Sequence, residues 1–163
     1  MRNLLLGLCT TALLLSGCGG GGNDETATTA PVESKSVAPL VNGKVEIVIK
    51  TYADLQSVVD IGKVLDGSSV GDLSFCPKGT FSGGHGNTDN GWLDHIFECS
   101  DGTLTIAFDP RNQKERSASG PWEVLSGTGA YQGMTGSGQM EIKFPADPQV
   151  ATGHETFTGT VSQ

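Results

Sequence analysis

Apolar side chains recur at every second position through most of the chain beyond residue 40, the pattern of half-buried strands. In Lys44–Lys50 (KVEIVIK), Val45, Ile47 and Ile49 share one face, and Glu46, Val48 and Lys50 share the other. Trp92–Cys99 sets Leu93, His95, Phe97 and Cys99 against Trp92, Asp94, Ile96 and Glu98. Both of its faces carry bulky groups, as on a barrel wall whose outside is partly covered. Thr103–Asp109 places Leu104, Ile106 and Phe108 together, and Pro121–Leu125 is a further strand. Gly138–Phe144 alternates Met140, Ile142 and Phe144 with Gln139, Glu141 and Lys143. His154–Val161 closes the chain, with Phe157, Gly159 and Val161 set against threonines.

The segments between these runs are mostly turn chemistry. Ser100-Asp101-Gly102 suits a two-residue hairpin. Gly62–Asp72 is glycine-punctuated, and Pro77 confines any strand in Leu73–Phe81 to an edge or breaks it. Ser82–Gly91, Pro110–Ser119 and Pro145–Thr152 read as polar loops, the second gathering Arg111, Lys114 and Arg116. Tyr52–Ile61 stays open, because Leu55, Val58 and Val59 fit a helix while Val-Val-Asp-Ile fits a strand. With at least six strands and one possible helix, the expected fold is all-β, a single antiparallel β-barrel of about eight strands, since closure removes exposed edges.

Gly120–Met140 (GPWEVLSGTGAYQGMTGSGQM) is the densest glycine cluster between two strands. Gly127, Gly129, Gly133, Gly136 and Gly138 are read as a structural glycine corner, with Tyr131 and Met134 plugging one end. A phosphate cradle is disfavoured, since the spacing misses the dinucleotide fingerprint by one position and no GK[ST] follows. Trp122 followed by Gly127-Thr128-Gly129-Ala130-Tyr131-Gln132-Gly133-Met134-Thr135-Gly136-Ser137-Gly138 resembles the signature of the allene oxide cyclase and dirigent-like β-barrel superfamily, with Ser126 in place of a frequent glycine. Gly62 and Ser69-Val70-Gly71-Asp72 are similar to an earlier segment of those barrels. The resemblance implies an eight-stranded barrel, often with an apolar cavity and often oligomeric. The functional residues of the cyclases and dirigent proteins find no residue-by-residue match here, so their activities do not carry over.

The first residues speak to location. A short basic start and the apolar run Leu4–Leu15 are too short for a helix to cross ~30 Å of hydrocarbon and suit a signal-peptide core. Leu15-Ser16-Gly17-Cys18 resembles the bacterial lipobox, which implies a signal peptide over 1–17 and lipid on Cys18. Stable anchoring needs more than one acyl chain, because a single chain holds with K on the order of 10⁴ M⁻¹. Gly19 follows instead of an aspartate, which favours an outer membrane where the host has two. Residues 18–39, lipidated cysteine and Gly/Thr/Ser/Pro tether, lack core-forming side chains, and the barrel domain is expected over 40–163. Cys9 leaves with the signal and Cys18 takes lipid, so Cys76 and Cys99 remain. In an oxidising envelope they read as one disulfide, while a metal site lacks a CxxC or a histidine pair at ligand spacing.

A formal charge of −8 disfavours nucleic acid as a partner, and 24 glycines suit a strand-rich chain. His85, Asn87, Asp89, Asp94 and His95 are the densest candidate ligands. Asp94 and His95 fall on opposite strand faces, which argues against one compact site, and no metal or other cofactor is expected. His154 beside Glu155 reads as a surface pair. No serine elbow or free thiol is present, so no catalytic residues are assigned. Three roles follow as expectations: a membrane-anchored envelope barrel that binds a small apolar ligand without catalysis, a structural or interaction module of the envelope that forms homo-oligomers, or a cyclase-like or isomerase-like enzyme. Whether aromatic side chains fill the barrel or leave it hollow separates them.

Overall fold

Val45, Ile47 and Ile49 do not end their strand at Lys50; the alternation continues through Thr51 and Ala53, and all but Val45 are fully buried. The computed structural model describes residues 43–55, 59–84 and 88–163. The signal peptide, Cys18, the tether, His85 and Asn87 lie outside the described residues. The strands are β1 (Val45–Asp54), β2 (Asp60–Val64), β3 (Ser69–Val70), β4 (Leu73–Ser74), β5 (Thr80–Gly83), β6 (Leu93–Cys99), β7 (Gly102–Phe108), β8 (Asn112–Lys114), β9 (Ser117–Gly127), β10 (Thr135–Lys143) and β11 (Thr152–Ser162). A single 3-10 turn, Gly129–Tyr131, joins β9 to β10.

The fold is all-β, a closed antiparallel barrel of eight strands in the order β1-β2-β5-β6-β7-β9-β10-β11. The register of β1 against β11, from Val45↔Val161 to Asp54↔Thr152, closes the ring. Closure leaves no edge among these strands, and β3, β4 and β8 are short additions at the ends. A bulge at Leu125 shifts the β7–β9 register between Thr105 and Ile106 and leaves Leu125 half exposed.

Several expected boundaries move. Tyr52 belongs to β1 and Ile61 to β2; Leu55 and Val59 fall just outside these strands, and Val58 lies outside the described residues. The basic segment Pro110–Ser119 is no simple loop, because β8 pairs with the first residues of β9. Pro121 lies inside β9 instead of opening it. Its carbonyl accepts from the Asp109 amide where β7 runs out, so its missing N–H falls at the end of a ladder.

The interior is filled by rings. Phe81, Phe97, Phe157 and Phe108 are buried, with edge-on pairs at 6.4 Å (Phe97–Phe157) and 5.5 Å (Phe108–Phe157). Trp122 is 1% exposed and its Nε1–H donates to the Thr158 carbonyl at 3.0 Å. Trp92 and Phe144 take no part in the core, Trp92 being half-buried and Phe144 exposed.

The glycine cluster divides into two jobs. Gly129 and Gly133 have φ of +58° and +78°, which a tight corner requires. Gly136 and Gly138 instead lie within β10, on the interior face. A Cβ on Gly138 would stand 2.7 Å from Trp122 Nε1, and one on its cross-strand partner Gly159 would stand 2.8 Å from Trp122 Cζ2. These two positions make room for an indole, not for a turn.

Candidate functional site

The two ends of the barrel differ. At one end the β9–β10 corner, β3 and β4 bring Phe75, Tyr131, Met134 and Val70 together under the disulfide Cys76–Cys99. Phe75 packs edge-on against both Phe97 and Tyr131 at 5.6 Å. The space left there, about 10 Å³, is at the limit for one water. Burial, and then the neighbouring Asp101 carboxylate, push the Tyr131 phenol well above its ordinary range, so it stays neutral.

At the other end, the last residues of β1, β7 and β10 and the first of β2, β6, β9 and β11 ring a cavity of about 170 Å³. Its wall is mostly apolar, built by Leu55, Leu93, Phe108, Met140 and Ile142, with Phe144 and Gln113 at the rim. Two carboxylates line it as well, Glu155 and Asp60. Among the described residues, no Lys or Arg lines it.

Glu155 reaches this position because β11 has a period of two. It shares parity with Gly153, Phe157 and Val161, and is 3% exposed. The expected surface pair of His154 and Glu155 is therefore corrected: His154 points outward onto Tyr52, with ring centroids 5.2 Å apart, while Glu155 points in. Its cross-strand partner is Thr51, whose hydroxyl donates to Glu155 Oε2 at 2.6 Å. His95 Nε2 meets the same oxygen at 3.0 Å.

Proton accounting follows from the partners. His95 Nδ1 stands 2.8 Å from the Asp94 carbonyl, which can only accept, so Nδ1 carries a hydrogen. One further proton then lies between Nε2 and Oε2, and the charged form, imidazolium with carboxylate, satisfies every partner. His95 is fully buried in a box of rings, 4.3 Å from Phe81 and 4.6 Å from Phe108. Burial is the strongest single influence and lowers its pKa. The Glu155 charge and hydrogen bond, the Asp94 carbonyl and the Asp60 charge together outweigh burial and raise it above 6.5. Aromatic faces add further support for a cation there.

Asp94 and His95 are both buried, and the sequence reading of this adjacent pair passed over the partner of His95 across the barrel. Asp89 is exposed in the loop before β6. Among the described residues, no group of three His, Cys, Asp or Glu side chains could hold a metal ion. Cys76 and Cys99 are bonded, with Cα atoms 4.9 Å apart, tying the chain ahead of β5 to the end of β6. Searches of the whole chain against protein-family models, curated proteins and solved structures find no match.

Proposed function

We propose that this chain is a lipid-anchored envelope barrel that holds a small, largely apolar molecule in its open end without chemical turnover. One observation carries the reading: the mostly apolar cavity of about 170 Å³ among Leu93, Phe108, Met140 and Ile142. An apolar cavity of roughly 150 Å³ is enough to take up benzene, so a single ring or the end of an alkyl chain is the right size. The membrane anchor rests on the Met1–Cys18 sequence, and a host with two membranes would carry it on the outer one. Globomycin treatment of producing cells tests the anchor; unprocessed precursor supports it, and unchanged maturation contradicts it. Native mass spectrometry after exposure to an envelope lipid extract tests the ligand. A retained small adduct that Ala118→Phe removes supports the reading, and a chain that always returns empty contradicts it.

A second reading, a homo-oligomeric module of the envelope, draws on one feature of the outer wall. Ile61 and Ile96 are 49% and 37% exposed and stand in one register row across β2, β5 and β6. Two apolar side chains outside a closed wall suit contact with a second copy. Light scattering of the wild type and of Ile61→Asp decides it. A dimer that the substitution dissociates supports this reading, and a wild-type monomer ends it.

A further inference from the structure

The outer wall of the barrel is grooved where β2, β5 and β6 run side by side, and its side chains there stand in two level rows. One row is Ile61, Ser82 and Ile96; the next is Lys63, Thr80 and Glu98. The middle member of each row lies on β5 and is a short hydroxyl residue, so the taller side chains of β2 and β6 form walls on either side of it. The groove measures about 500 Å³ and is lined by Ile61, Lys63, Thr80, Ser82 and Glu98, with Tyr52 and Asp54 at its β1 margin. Lys63, Thr80 and Glu98 are all exposed. Two strand spacings, about 10 Å, separate Lys63 from Glu98. Among the described residues neither forms an ion pair, and Lys63 Nζ stands 5.7 Å from the centroid of the Tyr52 ring.

We propose that a second copy of this chain seats on the groove, related to the first by a two-fold axis running along β5; this rests on the homo-oligomeric reading above. Rotation about that axis keeps each row level and exchanges its ends. Lys63 then meets Glu98 of the second copy, Glu98 meets its Lys63, and Ile61 packs on its Ile96. The patch is its own complement, as an isologous interface requires. The positions beyond the walls agree. Asp54 continues the first row next to Ile61, and Thr105 continues it next to Ile96, so the axis sets a carboxylate opposite a hydroxyl instead of a second charge. A two-fold running across the strands would exchange the rows instead. Lys63 would then face Ile61 and Glu98 would face Ile96, and each charge would lose water against hydrocarbon with no partner gained. Charge placement therefore selects the axis along β5. The ion pairs set register and choice of partner, and the isoleucines supply the apolar contact.

Charge reversal at the two ends of the second row separates this inference from the reading it rests on. Sedimentation velocity of the full chain in detergent, over a concentration series, reads the dimer dissociation constant. Lys63→Glu and Glu98→Lys should each weaken the dimer by about tenfold or more, since each sets like charges together at two symmetric places. Both substitutions in one chain should return the constant to near the wild-type value. An equal mixture of the two single variants should do the same as a heterodimer, because each brings the charge that the other lacks. Both positions are exposed, so every variant should keep the wild-type melting temperature. A wild-type dimer that Ile61→Asp separates but neither reversal weakens overturns the axis along β5 and leaves oligomerisation standing. A double variant or a mixture as weak as the single variants also overturns it. A wild-type monomer overturns the oligomeric reading together with this inference and leaves the groove to a different occupant.

Discussion

The two mouths of the barrel are made by the same strands and end differently. At the corner end, hydrophobic residues follow the turns closely, so Phe75, Tyr131 and Met134 fold inward and a disulfide holds the lid. At the other end two described connections, residues 145–151 and the β8–β9 hairpin, are polar. The barrel meets this opening with a polar floor of Glu155, Thr51 and His95, fully hydrogen-bonded below and apolar at the sides. The sealed end is filled by side chains, whereas the other keeps a cavity beside a hydrogen-bonded carboxylate.

Breaking each end separately sharpens the contrast. Glu155→Ala should have the largest effect, about 3–5 kcal/mol of lost stability by chemical denaturation, because it strands His95 and the Thr51 hydroxyl in a dry ring of aromatics. The double replacement Glu155→Met with His95→Phe should recover most of that loss, since an apolar substitute removes the desolvation penalty of both partners. If the double variant is as unstable as Glu155→Ala, the pair is not where the cost arises.

At the sealed end, replacing Cys76 and Cys99 together by alanine should lower stability by about 3 kcal/mol through the freed loop of the unfolded chain. Guest binding at the opposite mouth should not change. A loss of binding in this variant would show that the two ends are coupled. Gly138→Ala lies between the ends and should cost about 1–3 kcal/mol, because the new methyl meets Trp122 and the β11 backbone. An unaltered melting temperature would mean that Trp122 can move aside.

The pH dependence is a smaller effect with a definite sign. The folded pKa of His95 is raised above its unfolded value near 6.5, so its contribution is fully present below pH 6.5. It is lost as pH rises through the folded pKa. Stability measured on the alkaline side of pH 6.5 should fall with a slope that is absent in the double replacement. A slope shared by both proteins assigns it elsewhere.

Much of this barrel can be read directly along the chain. The alternation at Val45–Ile49, Leu104–Phe108 and Phe157–Val161 names strands and their inner faces, because a half-buried wall imposes period two on the residues themselves. The same parity already placed Glu155 on the face of Phe157. Its role stayed hidden because His154 beside it supplied an easy surface partner, and because carboxylates are seldom buried unpaired. The actual partner, His95, is 60 positions away, and only the register of the closed ring brings the two together. The glycine run was ambiguous for a related reason. A missing Cβ serves a positive φ at Gly129 and an indole above Gly138 equally well, and sequence does not separate a turn from a close approach.

Methyl-resolved NMR of the full chain titrated with toluene tests the difference between the two ends most directly. Methyl signals of Leu93, Met140 and Ile142 at the open mouth should shift together and saturate, while those of Val70 and Met134 at the sealed mouth should stay in place. Saturating shifts at the sealed end, or none at the open end, would contradict the account.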